Sequence, residues 1–254
     1  MPKDWDVSMK FYADLHLCPS LERTDEAREL IRKSAELGYD AVGVAFPLRV
    51  EQSRIQAVRE MCRTCGLDLV TRVDLTPNNP ASLLKSLRNL RRQFEVIAVL
   101  CLSKAVARQA AKDRRVDVIS FPSTDSRKRF FDSAEAALAS EAMVSFEVDM
   151  SPLLQLQGFQ RSRLLSFLRK ETLIARKSQV PIVLSSGAIS ANLLRKPEDY
   201  AFLSYLFGLD FGGAMRGFCE NPRTIVERNR KKLSPNYVAP GVYIVRRGED
   251  CHDG

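Results

Sequence analysis

Short apolar runs closed by proline or glycine alternate with amphipathic segments along most of this 254-residue chain. Asp40-Ala-Val-Gly-Val-Ala-Phe46 stops at Pro47, and Val116-Asp-Val-Ile-Ser-Phe121 stops at Pro122. Between such runs, apolar residues recur at helical spacing, as in Ala27, Leu30, Ile31, Ser34 and Leu37 before Gly38. A continuous apolar run of this length suits a strand covered on both faces, the condition met in parallel sheets wound with helices. Strand then helix, with short connections, is the pattern of that class.

Seven strands are expected: within Phe11–Leu17, then Asp40–Phe46, Leu67–Leu75, Val96–Leu102, Val116–Phe121, Met143–Asp149 and Val180–Ser185. Helices are expected from Thr24 or Asp25 to Leu37 and over 51–65, 80–92, 104–112, 127–140 and 160–178. Beyond Ser186 the pattern is helical (197–207, 210–219 and 221–233), and no good eighth strand follows. Gly241-Val-Tyr-Ile-Val245 is strand-like but sits in a basic tail. The fold read from this is a TIM-barrel-like (β/α) barrel, seven-stranded or distorted at its closure. It spans residues 1–233 as one domain, with 234–254 a loosely attached basic tail. An open doubly wound sheet is the alternative. Length and a hydrophobic content of 45% suffice for one such core.

The six cysteines are scattered, as in a reduced intracellular protein. Met1-Pro-Lys-Asp-Trp-Asp6 places charges where a signal peptide needs an apolar run, and nothing approaches the ~20 residues of a membrane span. A soluble, cytoplasmic protein is expected.

Catalytic groups of a barrel lie at the C-terminal ends of its strands. There the sequence offers Asp14 and His16, Arg72 and Asp74, Glu147 and Asp149, and Ser185-Ser186-Gly187. Tyr12, Asp14, His16 and Cys18 alternate with apolar residues, which puts them on one face of a strand. Glu147 and Asp149 share a face by the same rule, expected to be the interior. Such carboxylates can serve acid–base chemistry or hold a metal; alternatively, Arg72 neutralises them in a buried ion-pair network. A polynuclear hydrolase needs several imidazoles, whereas this chain has two histidines, one of them His252 near the end. A weak single site of Asp14, His16 and Glu147 remains open. No Gly-x-Ser-x-Gly elbow is present. Cys62-Arg-Thr-Cys65 has no second Cys-x-x-Cys and falls at a helix C-terminus, where the dipole opposes thiolate. Ser185-Ser-Gly-Ala188 either offers backbone N–H groups to a phosphate or is a plain turn.

Lys and Arg number 39 against 31 Asp and Glu, a net charge of +8. Helical spacing aligns Lys85, Arg88 and Arg92, and again Lys104, Arg108 and Lys112. Ser126-Arg-Lys-Arg129 and Leu194-Arg-Lys-Pro197 add basic loops after strands five and seven, and Arg228, Arg230, Lys231, Lys232, Arg246 and Arg247 follow. Acids gather instead on the first helix. This asymmetry points to RNA or DNA held through phosphates, by shape and backbone.

Several blocks together resemble the family of archaeal ribonuclease P protein component 3. They are Tyr12-Ala-Asp-Leu-His16, Leu37 to Pro47, Arg72-Val-Asp-Leu75, Phe146 to Leu154, Pro181 to Ala188, Arg195-Lys-Pro-Glu-Asp199, Leu206-Phe-Gly-Leu209 and Asn221 to Val226. The resemblance runs from about residue 10 to 232. It implies a barrel related to the PHP phosphoesterases and a subunit of the ribonucleoprotein that trims the 5′ leader from precursor tRNA. In that assembly the RNA is the catalyst and uses the Mg2+, so this chain is expected to bind no cofactor and to supply no catalytic or metal-ligating residue. The implied partners are the ribonuclease P RNA, precursor tRNA and a ferredoxin-like subunit, component 2, in a heterotetramer. PHP enzymes begin with His-x-His; here the second position is Cys18 and later metal histidines are missing, so a PHP-type phosphoesterase with a reduced site is the alternative. The RNA-binding set expected is Arg72, Lys104, Arg127, Lys128, Arg195 and Lys196. Arg195 is the best match to the family, Arg127 and Lys128 match more loosely, and Lys104 and Lys196 enter from charge and placement.

Overall fold

The computed structural model describes residues 11–239 and 242–244. The first residues, Met1 to Asp6, and Arg246, Arg247, Cys251 and His252 of the basic tail lie outside them.

Seven parallel strands follow one another around the sheet in chain order. They are β1 (Ala13–Leu17), β2 (Ala41–Phe46), β3 (Asp68–Leu75), β4 (Val96–Leu100), β5 (Val118–Ser120), β6 (Ser145–Asp149) and β7 (Ile182–Ser185). The helices between them are α1 (Thr24–Glu36), α2 (Gln52–Thr64), α3 (Pro80–Leu90), α4 (Lys104–Lys112), α5 (Ser133–Ala142), the short α6 (Ser151–Gln155) and α7 (Gly158–Lys177). The sheet curls until its first and last strands meet. Cys18 N donates to Ala188 O at 2.9 Å, and a lone parallel bridge joins Leu17 to Ala188 just past β7. The barrel is therefore seven-stranded and nearly closed, with its irregularity at the seam; the open doubly wound alternative is set aside.

Inside, Ala13, Leu15, Ala41, Val70, Val96, Ala98, Val118 and Val183 form a compact layer of mostly small side chains. Gly43 shows how tight it is, since a Cβ there would come within 2.3 Å of Leu15 O. Outside, a second and larger apolar layer lies between strands and helices. Three further helices follow β7: α8 (Pro197–Ser204), α9 (Phe211–Phe218) and α10 (Glu220–Leu233). Ile225 and Val226 of α10 join the inner layer, while Asn229 donates to Glu95 O and Asp117 Oδ1 at 2.7 and 2.8 Å. Thus α10 plugs the end of the barrel at the strand N-termini, and the opposite end, at the strand C-termini, is the mouth.

One local expectation is corrected. The helix expected over 127–140 begins only at Ser133, because Asp132 caps it, its side chain accepting from Ala134 N and Glu135 N at 2.8 and 3.3 Å. Residues 126–128 form a separate 3-10 turn. In the tail, β8 (Tyr237–Ala239) pairs antiparallel with β9 (Val242–Tyr243), apart from the barrel sheet.

Candidate functional site

The mouth holds a polar layer above the inner apolar one, built by the two-residue period of the strands. Val70, Arg72 and Asp74 share a face of β3, and Ser145, Glu147 and Asp149 share a face of β6. Arg72 lies at the centre with 1% of its side chain exposed. Its Nη1 and Nη2 donate to the two carboxylate oxygens of Glu147, each at 2.6 Å. Nε donates to Asp74 Oδ1 at 2.8 Å, and Nη1 also reaches Leu15 O at 3.0 Å. Ser185 Oγ donates to Glu147 Oε1 at 2.7 Å. This is the buried ion-pair network, and it removes Arg72 from the expected RNA-binding set: its donors are spent inside the barrel, where a phosphate backbone does not reach.

Asp14 and His16 do not share a face. The β1–β2 register shifts between Asp14 and Leu17, and this irregularity breaks the alternation. Asp14 is buried at the β1–β7 seam, its Oδ1 accepting from Ser186 N at 2.9 Å and from His16 N at 3.1 Å. His16 instead enters the polar layer. Nδ1 lies 2.8 Å from Asp149 Oδ1, and Nε2 lies 3.2 Å from Asp74 Oδ2 and 3.0 Å from Cys18 Sγ. A ring with a carboxylate on each nitrogen favours the imidazolium, in which both nitrogens donate. Burial and nearby Arg72 oppose that charge, but Asp149 and Asp74 prevail and hold the His16 pKa well above its ordinary value. Burial raises Asp74, yet Arg72 and His16 hold its pKa far below the usual carboxylate range.

The donor set fits a metal poorly. His16 approaches Cys18 and Asp74 on one side and Glu147 and Asp149 on the other. However, both ring nitrogens already face carboxylates, and both Glu147 oxygens are held by Arg72. The set Asp14, His16 and Glu147 is not assembled, because Asp14 belongs to the seam. A guanidinium and an imidazolium, rather than free donor atoms, face the carboxylates of this layer.

The turn after β7 is no phosphate cradle either. Ser186 N is taken by Asp14 and Ala188 N by Ser186 Oγ at 3.1 Å. Gly187 adopts φ 61° with Asp149 Cγ 2.9 Å from where a Cβ would stand, which leaves room for nothing larger. Cys62 is buried and its thiol pKa is pushed up to about 12 by burial, the behaviour of a structural cysteine.

The five other members of the expected RNA-binding set lie together around the mouth. Lys104 opens α4, Arg127 and Lys128 form the turn after β5, and Arg195 and Lys196 lead from β7 into α8. Arg127, 90% exposed at its side chain, and Lys128 approach Asp125 at only 3.6 and 3.5 Å. Lys104 Nζ donates to Asp132 at 3.0 Å. Arg195 Nη1 donates to Asn192 O and Leu194 O, which braces its loop, and its charge meets no carboxylate among the described residues. The neighbouring Arg129 is different: it is buried against Glu171, Nε to Oε1 at 2.9 Å, and also donates to Phe121 O and Pro122 O. It anchors the loop that displays Arg127 and Lys128, a role that the basic run 127–129 conceals. The two cationic helix rows also part company. On α4, Lys104 and Arg108 are bridged to Asp132 and Glu135 of the α5 cap region, whereas Lys85, Arg88 and Arg92, along and just beyond α3, have no ion pair among the described residues.

The family described as RNase P subunit p30 matches residues 11–234. Ribonuclease P protein component 3 of Methanococcoides burtonii is 30% identical over 230 residues, 91% of this chain and 91% of that protein. The same component of Methanosarcina barkeri is 31% identical over 242 residues, 94% of this chain and 98% of that one. A chain in a cryo-EM structure of archaeal ribonuclease P with mature tRNA has the same fold. Its TM-score is 0.81 at 22% identity, covering 94% of this chain and all of that one.

Proposed function

The chain belongs to the RNase P subunit p30 family, and from this membership we propose that it binds the ribonuclease P RNA and assists removal of the 5′ leader from precursor tRNA without cutting the phosphodiester itself. The observation that carries the division of labour is the mouth, where Arg72 and His16 supply the positive charge among the carboxylates and, among the described residues, leave no free imidazole for a metal or a base. The basic side chains around it then serve the RNA. We assign Lys104, Arg127, Lys128, Arg195 and Lys196 to phosphate contacts, and the Mg2+ of the reaction to the RNA rather than to this chain.

The partner subunit in this reading is the ferredoxin-like component 2, in a heterotetramer. A protein partner is supported by an exposed apolar cluster on the flank of the barrel. There Phe202 and Tyr205 stack at 6.5 Å, with Leu206 beside them. Patches of this kind are characteristic of protein contacts. Among the described residues no helix is long and apolar enough to cross a membrane, and we place the assembly in the cytoplasm.

Reconstitution tests the proposal. The purified chain alone is expected to leave precursor tRNA uncut, while its addition to the RNA with the partner subunit should restore processing at lower Mg2+. Equal cleavage by the RNA with and without this chain would overturn it. Stoichiometric Zn or Mn in the isolated chain, with a phosphoesterase activity lost in His16→Ala, would favour the PHP-type alternative.

Arg195 gives a sharper readout. Arg195→Ala is expected to weaken RNA binding and to reduce the slope of log K against log salt by about one, the signature of one lost phosphate contact. The melting temperature should change little, because the guanidinium braces only its own loop.

A further inference from the structure

The plugged end of the barrel carries a second concentration of positive charge, and acids neutralise it less than they do the charge at the mouth. A cavity of about 610 Å3 opens there, bounded by the α4–β5 and α5–β6 connections, α10 and β8. Arg114, Arg228, Lys231 and Lys232 line it together with Tyr237. The carboxylate among its described lining residues, Glu227, is already paired with Arg223 at 2.7 Å. Arg114, Lys231 and Lys232 have no carboxylate within 4.0 Å among the described residues. Arg228 is pinned, Nη2 to Asp117 Oδ1 at 2.9 Å and Nη1 to Met143 O at 3.1 Å, and its Nε is buried without an acceptor. Asp117 cannot discharge the group alone, since Arg91 shares it.

The crowding has an electrostatic consequence. Burial lowers the Lys232 pKa, and the nearby Arg228, Arg91 and Arg114 lower it further against the opposing pull of Asp117. A lysine at a helix C-terminus is ordinarily eased by the dipole; at Lys232 burial and these arginines act in the opposite direction. An anion in the cavity would relieve every one of these repulsions at once.

We propose that this cavity takes a phosphodiester of RNA, as a second RNA contact at the far end of the barrel from the mouth. The proposal rests on the ribonuclease P reading and extends it. An extended polyanion fits better than an isolated phosphate because of the unpaired row on α3. That helix runs from the mouth back toward the strand N-termini, and its row Lys85, Arg88 and Arg92 finishes at the same end as the cavity. The eight residues of β3 set the barrel height at about 26 Å. One RNA touching both ends therefore has to pass along the side of the barrel, and the α3 row marks the cationic path.

The test uses the full chain and ribonuclease P RNA transcript, with Lys231→Ala/Lys232→Ala as one variant and Arg114→Ala, on a different element, as a second. The double variant is expected to bind RNA more weakly, with the salt slope reduced by about two, and Arg114→Ala to reduce it by about one. None of the three side chains has a carboxylate partner among the described residues, so melting temperatures should stay near that of the parent. Unchanged affinity and slope in both variants, alongside weakened binding by Arg195→Ala, would overturn the far-end contact while leaving the ribonuclease P reading intact. A parent chain that fails to bind the RNA would sink that reading instead. Variants that keep their RNA affinity but no longer capture the ferredoxin-like subunit would assign the cavity to a protein and overturn the proposal.

Discussion

Replacing Arg72 with alanine is expected to cost about 3–5 kcal/mol of folding stability, because it strands a buried carboxylate that has lost its partner. Glu147 is fully buried at its side chain and receives both Nη groups of Arg72. Without the guanidinium, only Ser185 Oγ remains to it among the bonds described above, and Asp74 loses a donor as well. Denaturant unfolding should show the loss as a lower midpoint with little change in slope. Arg72→Met with Glu147→Leu should recover much of it, since the buried carboxylate is removed together with its guanidinium and only the Asp74 contact stays lost. The measurement also separates the two roles considered for Arg72. Under conditions where the variant remains folded, its RNA affinity and salt slope should match the parent's. A slope reduced by about one in a stable Arg72→Ala protein would restore the arginine to the RNA-binding set.

The barrel is readable in the sequence because its strands are short apolar runs, each with its own stop, and because helices of matching period fill the gaps. Val96 to Leu100 and Ile182 to Ser185 lie wholly within the expected runs for this reason. The polar layer is half readable. Glu147 and Asp149 keep strict alternation, so their shared face follows from spacing alone. Asp14 and His16 have the same spacing and part company, since the register shift in β1 falls in Leu15-His16-Leu17, where no glycine or proline marks it. The late start of α5 did carry a signal: Asp132-Ser-Ala-Glu135 places a capping side chain three residues before a glutamate. The basic run before it has helix-forming character and hides the boundary. Arg129 looks like Arg127 and Lys128 in sequence and differs only because Glu171, 42 positions away, lies beneath it. The far-end cavity is the least readable feature. It gathers residues from the α4–β5 connection, α10 and β8, and only folding brings those segments together.

The pH dependence of stability should resolve into separate windows that individual substitutions remove. Asp14 is fully buried, and burial raises its pKa from 3.8 to about 6 against the opposing help of Ser186 and His16. Oδ2 has no hydrogen-bond partner, so the protonated form suits the site. A carboxyl raised in the folded state binds more protons there than in the unfolded chain. Its contribution is therefore intact below pH 3.8 and declines until about pH 6 has been passed. At 1.36 kcal/mol per unit, the decline is about 3 kcal/mol. Asp14→Asn keeps the acceptor for Ser186 N and removes the proton. Relative to the parent, the variant should gain about 3 kcal/mol between pH 3.5 and pH 7.5, whatever fixed cost its amide adds. His16, raised by Asp149 and Asp74, acts in the same direction but later: its contribution is complete below 6.5 and fades as pH rises through its elevated value. Asp74, lowered by Arg72 and His16, opposes both, contributing above 3.8 and losing its effect only in strong acid. His16→Gln should therefore flatten the alkaline limb and, because the imidazolium also helps hold the Asp14 and Asp74 carboxyls down, move their windows to higher pH. If Asp14→Asn instead tracks the parent at every pH, the seam carboxyl is hydrated rather than sealed, and the barrel opens between β1 and β7 in solution.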